Sequence, residues 1–102
     1  MKCTYVQEDK QLTISLTEDI DHHSVEEIRR KIDNEITRCM PRKVIFDFNY
    51  VSFMDSAGIG MLIGRYRTVK LFGGIVEMCN VKPSIRKIFE MSGVLKLIPI
   101  VA

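Results

Sequence analysis

Residues 43–64 read KVIFDFNYVSFMDSAGIGMLIG, and this stretch decides the fold. Its first six residues are nearly all apolar or β-forming, which predicts a central, buried strand over residues 43–48. Apolar residues then recur at helical spacing, and this pattern predicts a helix that begins at Ser56 or Ala57 and ends near Leu71. A buried strand that leads into such a helix is typical of parallel sheets with crossover helices.

This predicted helix has two faces. Its inner stripe is apolar and consists of Ile59, Leu62, Ile63, Tyr66 and Val69. On the other face, Arg65, Arg67 and Lys70 are predicted to be solvated, and contact with an acidic patch of a partner is the alternative use. The spacing of Gly60 and Gly64 indicates that the helix packs tightly on the sheet, since glycine permits a close approach.

Strands and helices alternate on both sides of this stretch. In chain order we predict strands at residues 4–7 and 12–16, a helix at 25–39, a strand at 43–48, a helix at 56–71, a strand at 75–79, a helix at 83–93 and a strand at 97–100. Ser24 and Glu27 are spaced as a capping box at the start of the first helix. Pro99 marks the last strand as an edge strand, because proline has no N–H to donate to a ladder.

The element order β-β-α-β-α-β-α-β predicts a single α/β domain over residues 1–102. Because strand–helix–strand connections are right-handed crossovers, most neighbouring strands are expected to be parallel. The first two strands form an antiparallel hairpin. The prediction is therefore a mixed, mainly parallel sheet of about five strands with helices packed against it.

Composition excludes several classes of protein. The chain has 15 Lys and Arg against 13 Asp and Glu, a net charge of +2 that is too slight to predict binding to nucleic acid or to a membrane surface. Its most apolar run, residues 59–64, ends at Arg65 and is far shorter than the roughly 20 residues that span a bilayer. The charged start of the chain does not resemble a signal peptide.

Three cysteines, Cys3, Cys39 and Cys79, indicate a reducing compartment. Their number is odd and no C-x-x-C spacing occurs, so neither a disulfide framework nor a zinc site is predicted. We expect reduced thiols in a cytoplasmic protein that holds no metal and no cofactor.

Ser56 stands where the predicted strand leads into the helix, and ligand sites of α/β sheets gather at the carboxyl ends of strands. As the N-cap of the helix, its hydroxyl would contribute about 1 kcal/mol to the stability of the protein. That role alone would explain a serine at this position. The small residues Ala57, Gly58 and Gly60 suit a surface that another backbone or a phosphate approaches closely. The positive end of a helix favours a phosphate, and a phosphoserine beside Asp55 would repel a partner.

The same residues do not predict an enzyme. A nucleophilic serine needs a base within hydrogen-bond reach, and the G-x-S-x-G elbow is absent because Met54 stands at its first glycine. His22 and His23 are the only histidines, and both lie in one loop. Neither G-x-x-x-x-G-K-[ST] nor G-x-G-x-x-G after a strand occurs, so a nucleotide-binding loop is not predicted.

Residues 53–66, FMDSAGIGMLIGRY, closely resemble the anti-sigma factor antagonists of the STAS domain family. The similarity extends over the whole chain, through LT and DHH within residues 16–23, KPSI at 82–85 and FEMSG at 89–93. The His-His pair and the Gly-Arg-Tyr continuation point to the sporulation branch, which relieves the inhibition of sigma-F.

The resemblance implies a partner switch. In this family the unphosphorylated antagonist binds an anti-sigma factor that is also a serine kinase, and the sigma factor is released. The kinase uses ATP to phosphorylate and inactivate the antagonist, and a phosphoserine phosphatase restores it. By match, Ser56 is the phosphorylated serine. We also expect the protein to be a monomer on its own. The implied partner contacts are Asp21, Asp55, Ala57, Gly58 and Ile59.

Three alternatives stay open beside the sporulation switch. The chain could belong to the stress-response antagonists of the same family. It could be a STAS module that holds a nucleotide or another anion directly at the helix start, in which case the unmodified protein binds a small anion. A hydrolase is the least favoured, for want of a base near Ser56.

Overall fold

The computed structural model describes residues 1–101. Its elements are β1 (Lys2–Val6), β2 (Gln11–Ser15), α1 (Val25–Cys39), β3 (Lys43–Asp47), α2 (Ser56–Leu71), β4 (Ile75–Cys79), α3 (Pro83–Ser92) and a 3-10 turn (Val94–Lys96). The strand order is β1-β2-β3-β4, with an antiparallel β1–β2 pair and parallel β2–β3 and β3–β4 pairs. The predicted α/β fold with a mixed sheet is confirmed. No helix within residues 1–101 has the length and apolar character to cross a bilayer.

The two central strands place the core on one face of the sheet. Leu12 and Ile14 of β2 and Val44 and Phe46 of β3 are fully buried, whereas the residues between them are only half-buried. This period of two is the mark of a sheet covered on one side. Helix α1 packs against β2 and α2, and α2 packs against β4. The start of α2 therefore lies where β3 leaves the sheet.

The predicted fifth strand at residues 97–100 is reduced to one bridge, in which Ile100 pairs with Met78 in parallel. The N–H of Met78 donates to the carbonyl of Pro99 at 2.9 Å, and the N–H of Val101 donates to the carbonyl of Met78 at 2.7 Å. Extending the ladder toward the start of β4 would require the backbone N of residue 99 to donate to the carbonyl of Val76. Residue 99 is a proline, which has no N–H. The sheet therefore has four strands.

The predicted capping box of Ser24 and Glu27 is wrong. The hydroxyl of Ser24 accepts from the N–H of Asp21 and donates to the carbonyl of Asp19, both at 3.1 Å. The turn before α1 is closed by the carboxylate of Asp21, which accepts from the N–H groups of Ser24 and His23 at 2.9 Å. These hydrogen bonds hold the pKa of Asp21 below its ordinary value.

Arg65 was predicted to face solvent, and this prediction is also wrong. It is only 9% exposed, because α2 is covered by α1 as well as by the sheet. Its Nε lies 2.8 Å from Oδ1 of Asp33 on α1, and Arg29 contacts the other carboxylate oxygen at 3.2 Å. Burial lowers the pKa of Arg65, and the charge of Asp33 opposes this shift.

Candidate functional site

Two loops are joined at the edge of the sheet where β2 and β3 end. The N–H of Ile20 donates to the carbonyl of Phe53, and the N–H of Asp55 donates to the carbonyl of Ile20, both at 3.1 Å. Ile20 and Met54 form a parallel bridge between these loops, and both side chains are buried. The loop before Ser56 is thus held in place by the loop that follows β2.

Asp19 fastens the same two loops from the other side. Its Oδ1 accepts from the N–H groups of Ser52 and Phe53, at 2.9 and 3.0 Å. Asp19 did not stand out in the sequence, since a carboxylate in a polar loop is common and the N–H groups that donate to it lie 33 and 34 positions away. It fixes the backbone course of the segment that presents Ser56.

Asp55, and not Ser56, is the N-cap of α2. Its Oδ1 accepts from the N–H of Ala57 at 2.9 Å, and its Oδ2 accepts from the N–H of His22 at 3.2 Å. The ring Nδ1 of His22 lies 3.6 Å from the same Oδ2. The predicted capping role of Ser56 is therefore wrong, because the preceding carboxylate takes the first-turn N–H.

The residues predicted to contact a partner differ in exposure. Ser56 is the first residue of α2 and its side chain is exposed, while Ala57 is half-buried. Gly58 is buried, and Ile59 is only 8% exposed. Asp21 lies half-buried in the joined loop, where it caps the turn before α1. Of this set, Ser56 offers the freest surface.

The glycines of α2 do not serve the purposes predicted for them. A Cβ on Gly58 would lie 2.5 Å from Cγ of Met54 and 3.1 Å from Cγ2 of Ile20. The close approach that requires glycine at this position is thus made by the chain's own joined loops. A Cβ on Gly60 or Gly64 would meet nothing within 4 Å, so the tight packing predicted from their spacing is wrong.

Alanine substitutions at these glycines are expected to change stability in opposite directions. Gly60→Ala and Gly64→Ala should each raise the free energy of unfolding by about 0.5–1 kcal/mol, because alanine has the higher helix propensity. Gly58→Ala should lower it by about 1–3 kcal/mol, because the new Cβ overlaps buried Met54. Urea unfolding of the three variants measures these changes, and a loss of stability at Gly60 would contradict the open space seen there.

An apolar groove begins at Ser56. It is lined by Ser56 and Ile59 of α2 and by Ile88, Met91 and Ser92 of α3. Met91 is 79% exposed, and Phe53, in the loop that leads to Ser56, is 52% exposed. The sequence did not single out the α3 side of this groove, since apolar residues on a short helix look like core. The Ser56 hydroxyl therefore lies at the edge of an exposed apolar surface. We call this surface, which consists of the groove residues and Phe53, the Ser56 rim.

Residues 3–102 match the STAS domain family. The anti-sigma F factor antagonist of Paenibacillus polymyxa is 33% identical over 89 residues, which cover 87% of this chain and 76% of that protein. The anti-sigma F factor antagonist of Lysinibacillus sphaericus is 38% identical over 82 residues, which cover 80% of this chain and 70% of that protein.

The fold is also similar to solved structures of the anti-sigma factor antagonist SpoIIAA. The unphosphorylated form superposes with a TM-score of 0.83 at 33% identity, over 99% of this chain and 87% of that one. The phosphorylated form gives a TM-score of 0.73 at the same identity, over 99% and 90%. The chain thus belongs to the STAS domain family and is homologous to the anti-sigma F factor antagonists.

Proposed function

We propose that this chain is a cytoplasmic anti-sigma factor antagonist that binds an anti-sigma factor through the Ser56 rim. That anti-sigma factor acts as a serine kinase, and binding by the unphosphorylated antagonist releases a sporulation sigma factor. Phosphorylation of Ser56 ends the interaction, and a phosphoserine phosphatase restores it. The proposal depends most on the exposure of the Ser56 hydroxyl at a helix start beside an apolar groove. A homologue solved in phosphorylated and unphosphorylated forms supports it.

The helix start explains why the folded protein tolerates the phosphate. A phosphoserine adds about −1.5 to −2 charges at pH 7. The first turn of α2 carries no acidic side chain, and the positive end of the helix dipole offsets part of the repulsion from Asp55. We therefore expect phosphorylation to leave the fold intact and to change only what the surface presents.

The apolar rim explains why a partner does not tolerate it. A protein that covers Met91 and Phe53 must exclude water from the neighbouring Ser56. With a dianion on Ser56, docking would require the removal of its hydration shell without a compensating partner, which costs several kcal/mol. One added phosphate is thus sufficient to separate the two proteins without refolding either.

Direct anion binding at the helix start is less well supported. Oδ1 of Asp55 already accepts from the N–H of Ala57 and places a negative charge where an anion would bind. Calorimetric titration of the unmodified protein with ATP or sulfate distinguishes direct anion binding from the partner switch. The partner switch predicts no heat of binding in this titration.

Phosphate transfer to Ser56 is the test of the proposed function. The protein, ATP and the candidate anti-sigma factor are incubated, and the modified residue is located by mass spectrometry. We expect one phosphate on Ser56 and none on Ser56→Ala. Ser84 provides the matched control, because it is an exposed serine in the first turn of α3. Ser84→Ala should take up phosphate as the wild type does, and phosphate found on Ser84 or Ser52 would refute the assignment.

A further inference from the structure

The end of α2 opposite Ser56 carries a second exposed apolar surface. The 16 residues of α2 separate its two ends by about 24 Å. Two grooves at this far end share Tyr66 and Lys70. We name this surface the distal face, and its main residues are Tyr66, Arg67, Lys70, Leu71, Ile75 and Leu97. Leu71 is 86% exposed, Ile75 49% and Leu97 41%, so the distal face offers three large apolar side chains to solvent.

The charge of the distal face is positive. Arg67 and Lys70 form no salt bridge within residues 1–101. Within residues 1–101, Glu77 is the one acidic residue that lines either groove, and it is neutralised by Lys43, whose Nζ lies 3.1 Å from its carboxylate. Lys70 also lies over the ring of Tyr66, with Nζ 6.0 Å from the ring centroid. Two free cations therefore flank the apolar residues.

The floor of one groove contains an unpaired backbone acceptor. Backbone groups of a strand alternate between its two edges, and Met78 faces the outer edge of β4, where its N–H donates to Pro99. Val76, two residues earlier, faces the same edge. Because Pro99 has no N–H, the carbonyl of Val76 has no hydrogen bond at this edge within residues 1–101, although the residue is only 3% exposed. A buried carbonyl calls for a donor, which a ligand or a water molecule entering the groove can supply.

We propose that the distal face docks an acidic, apolar segment of a second protein. Carboxylates of that segment pair with Arg67 and Lys70, and its apolar side chains cover Leu71, Ile75 and Leu97. This interaction is separate from the Ser56 rim, so one antagonist molecule can hold both partners at once. The proposal does not depend on phosphorylation of Ser56.

Two other occupants fit the surface less well. A second copy of the chain in a two-fold dimer would bring two positively charged faces together, with no unpaired acidic side chain among the described residues that line the grooves to offset the repulsion. Membrane-binding surfaces usually present a cluster of about four to eight Lys and Arg residues, whereas this face has two free cations beside concave grooves. Charge complementarity therefore favours an acidic protein segment.

Peptide selection tests the proposal without knowledge of the natural partner. A random peptide library displayed on phage is selected on the wild-type protein and depleted on the double variant Arg67→Glu, Lys70→Glu. Each enriched sequence is made as a peptide and titrated into isotope-labelled protein by NMR. The matched control is Arg30→Glu, Lys87→Glu, which changes the same net charge at exposed positions of α1 and α3.

We expect enriched peptides to combine acidic and apolar residues and to shift the amide signals of Lys70, Ile75 and Leu97 but not that of Ser56. Their affinity should fall by about tenfold in the Arg67, Lys70 variant and stay unchanged in the control. Enriched peptides without acidic residues, or with shifts elsewhere, would overturn the proposal. Two further results would also overturn it. One is that the wild-type protein pellets with phosphatidylserine vesicles and the double variant does not. The other is that the wild type forms a dimer in sedimentation velocity and the double variant does not.

Discussion

Ser56→Asp is expected to weaken binding to the anti-sigma factor by about a hundredfold, because a buried like charge or an unpaired carboxylate costs several kcal/mol at an interface. Ser56→Ala should bind as the unmodified wild type does, since the hydroxyl makes no contact that the fold needs and Asp55 provides the cap. In the presence of ATP the wild type should be phosphorylated and released, whereas Ser56→Ala should stay bound.

Calorimetry with purified anti-sigma factor, with and without ATP, measures these affinities. Ser84→Asp is the control, because it adds the same charge to the first turn of another helix whose start does not line the apolar groove. It should bind with wild-type affinity. Equal binding by Ser56→Asp, Ser56→Ala and the wild type would refute the electrostatic switch, and an equal loss with Ser84→Asp would show only that net charge matters.

Asp33→Ala should be the most destabilising of the charge removals, lowering the free energy of unfolding by about 2–3 kcal/mol. The variant leaves the nearly buried guanidinium of Arg65 without its carboxylate partner. It also removes the carboxylate that compensates the positive charge of the neighbouring Arg29. The loss is smaller than for a fully buried pair, because the side chain of Asp33 is 34% exposed. Chemical denaturation of the variant measures it.

Arg65→Met distinguishes an unpaired charge from lost packing. Methionine keeps most of the apolar volume and removes the charge, so this variant should stay within about 1 kcal/mol of the wild type. Adding Arg65→Met to Asp33→Ala should recover most of the lost stability. Glu35→Ala is the matched control on α1, since Glu35 pairs with the exposed Arg38 and its loss should cost less than about 0.5 kcal/mol. If Arg65→Met were as damaging as Asp33→Ala, packing and not charge would explain the effect.

The strands and helices could be predicted because each has a regular apolar period. The pattern worked best for α1, whose buried residues Ile28, Ile32 and Ile36 form one stripe. It failed at Arg65 because α2 packs against α1 as well as against the sheet, so a residue outside the sheet-facing stripe is buried against α1. The last strand failed because Pro99 permits an edge position but stops the ladder after one bridge.

The predicted side-chain caps of both helices were wrong, although Ser24 does occupy the N-cap position of α1. Ser24 and Ser56 each have a carboxylate nearby, Asp21 and Asp55, and sequence spacing alone does not decide which oxygen meets the free N–H groups. At α2 tertiary structure decides it, since Asp55 accepts from the N–H of His22, 33 residues away, whereas at α1 Asp21 closes a local turn with His23 and Ser24. The role of Asp19 depends on similar distant pairs, so it was not visible in the sequence.

The position of Ser56 could be predicted, and its surroundings could not. A serine between a buried strand and a helix is placed at the sheet edge by topology alone. The α3 side of the rim, with Met91, comes from side chains more than thirty residues later in the chain. Its exposure depends on how α3 packs, which no local pattern encodes.

The joined loops make the proposed docking site depend on the fold of the whole domain. The bridge between Ile20 and Met54 lies beyond the ends of the paired strands β2 and β3, so we expect a chain that has lost its sheet to retain the serine but not the rim. We therefore expect an anti-sigma factor that binds the rim to bind the folded protein and not unfolded copies of it. By linkage, saturation with this partner should raise the melting temperature of the antagonist.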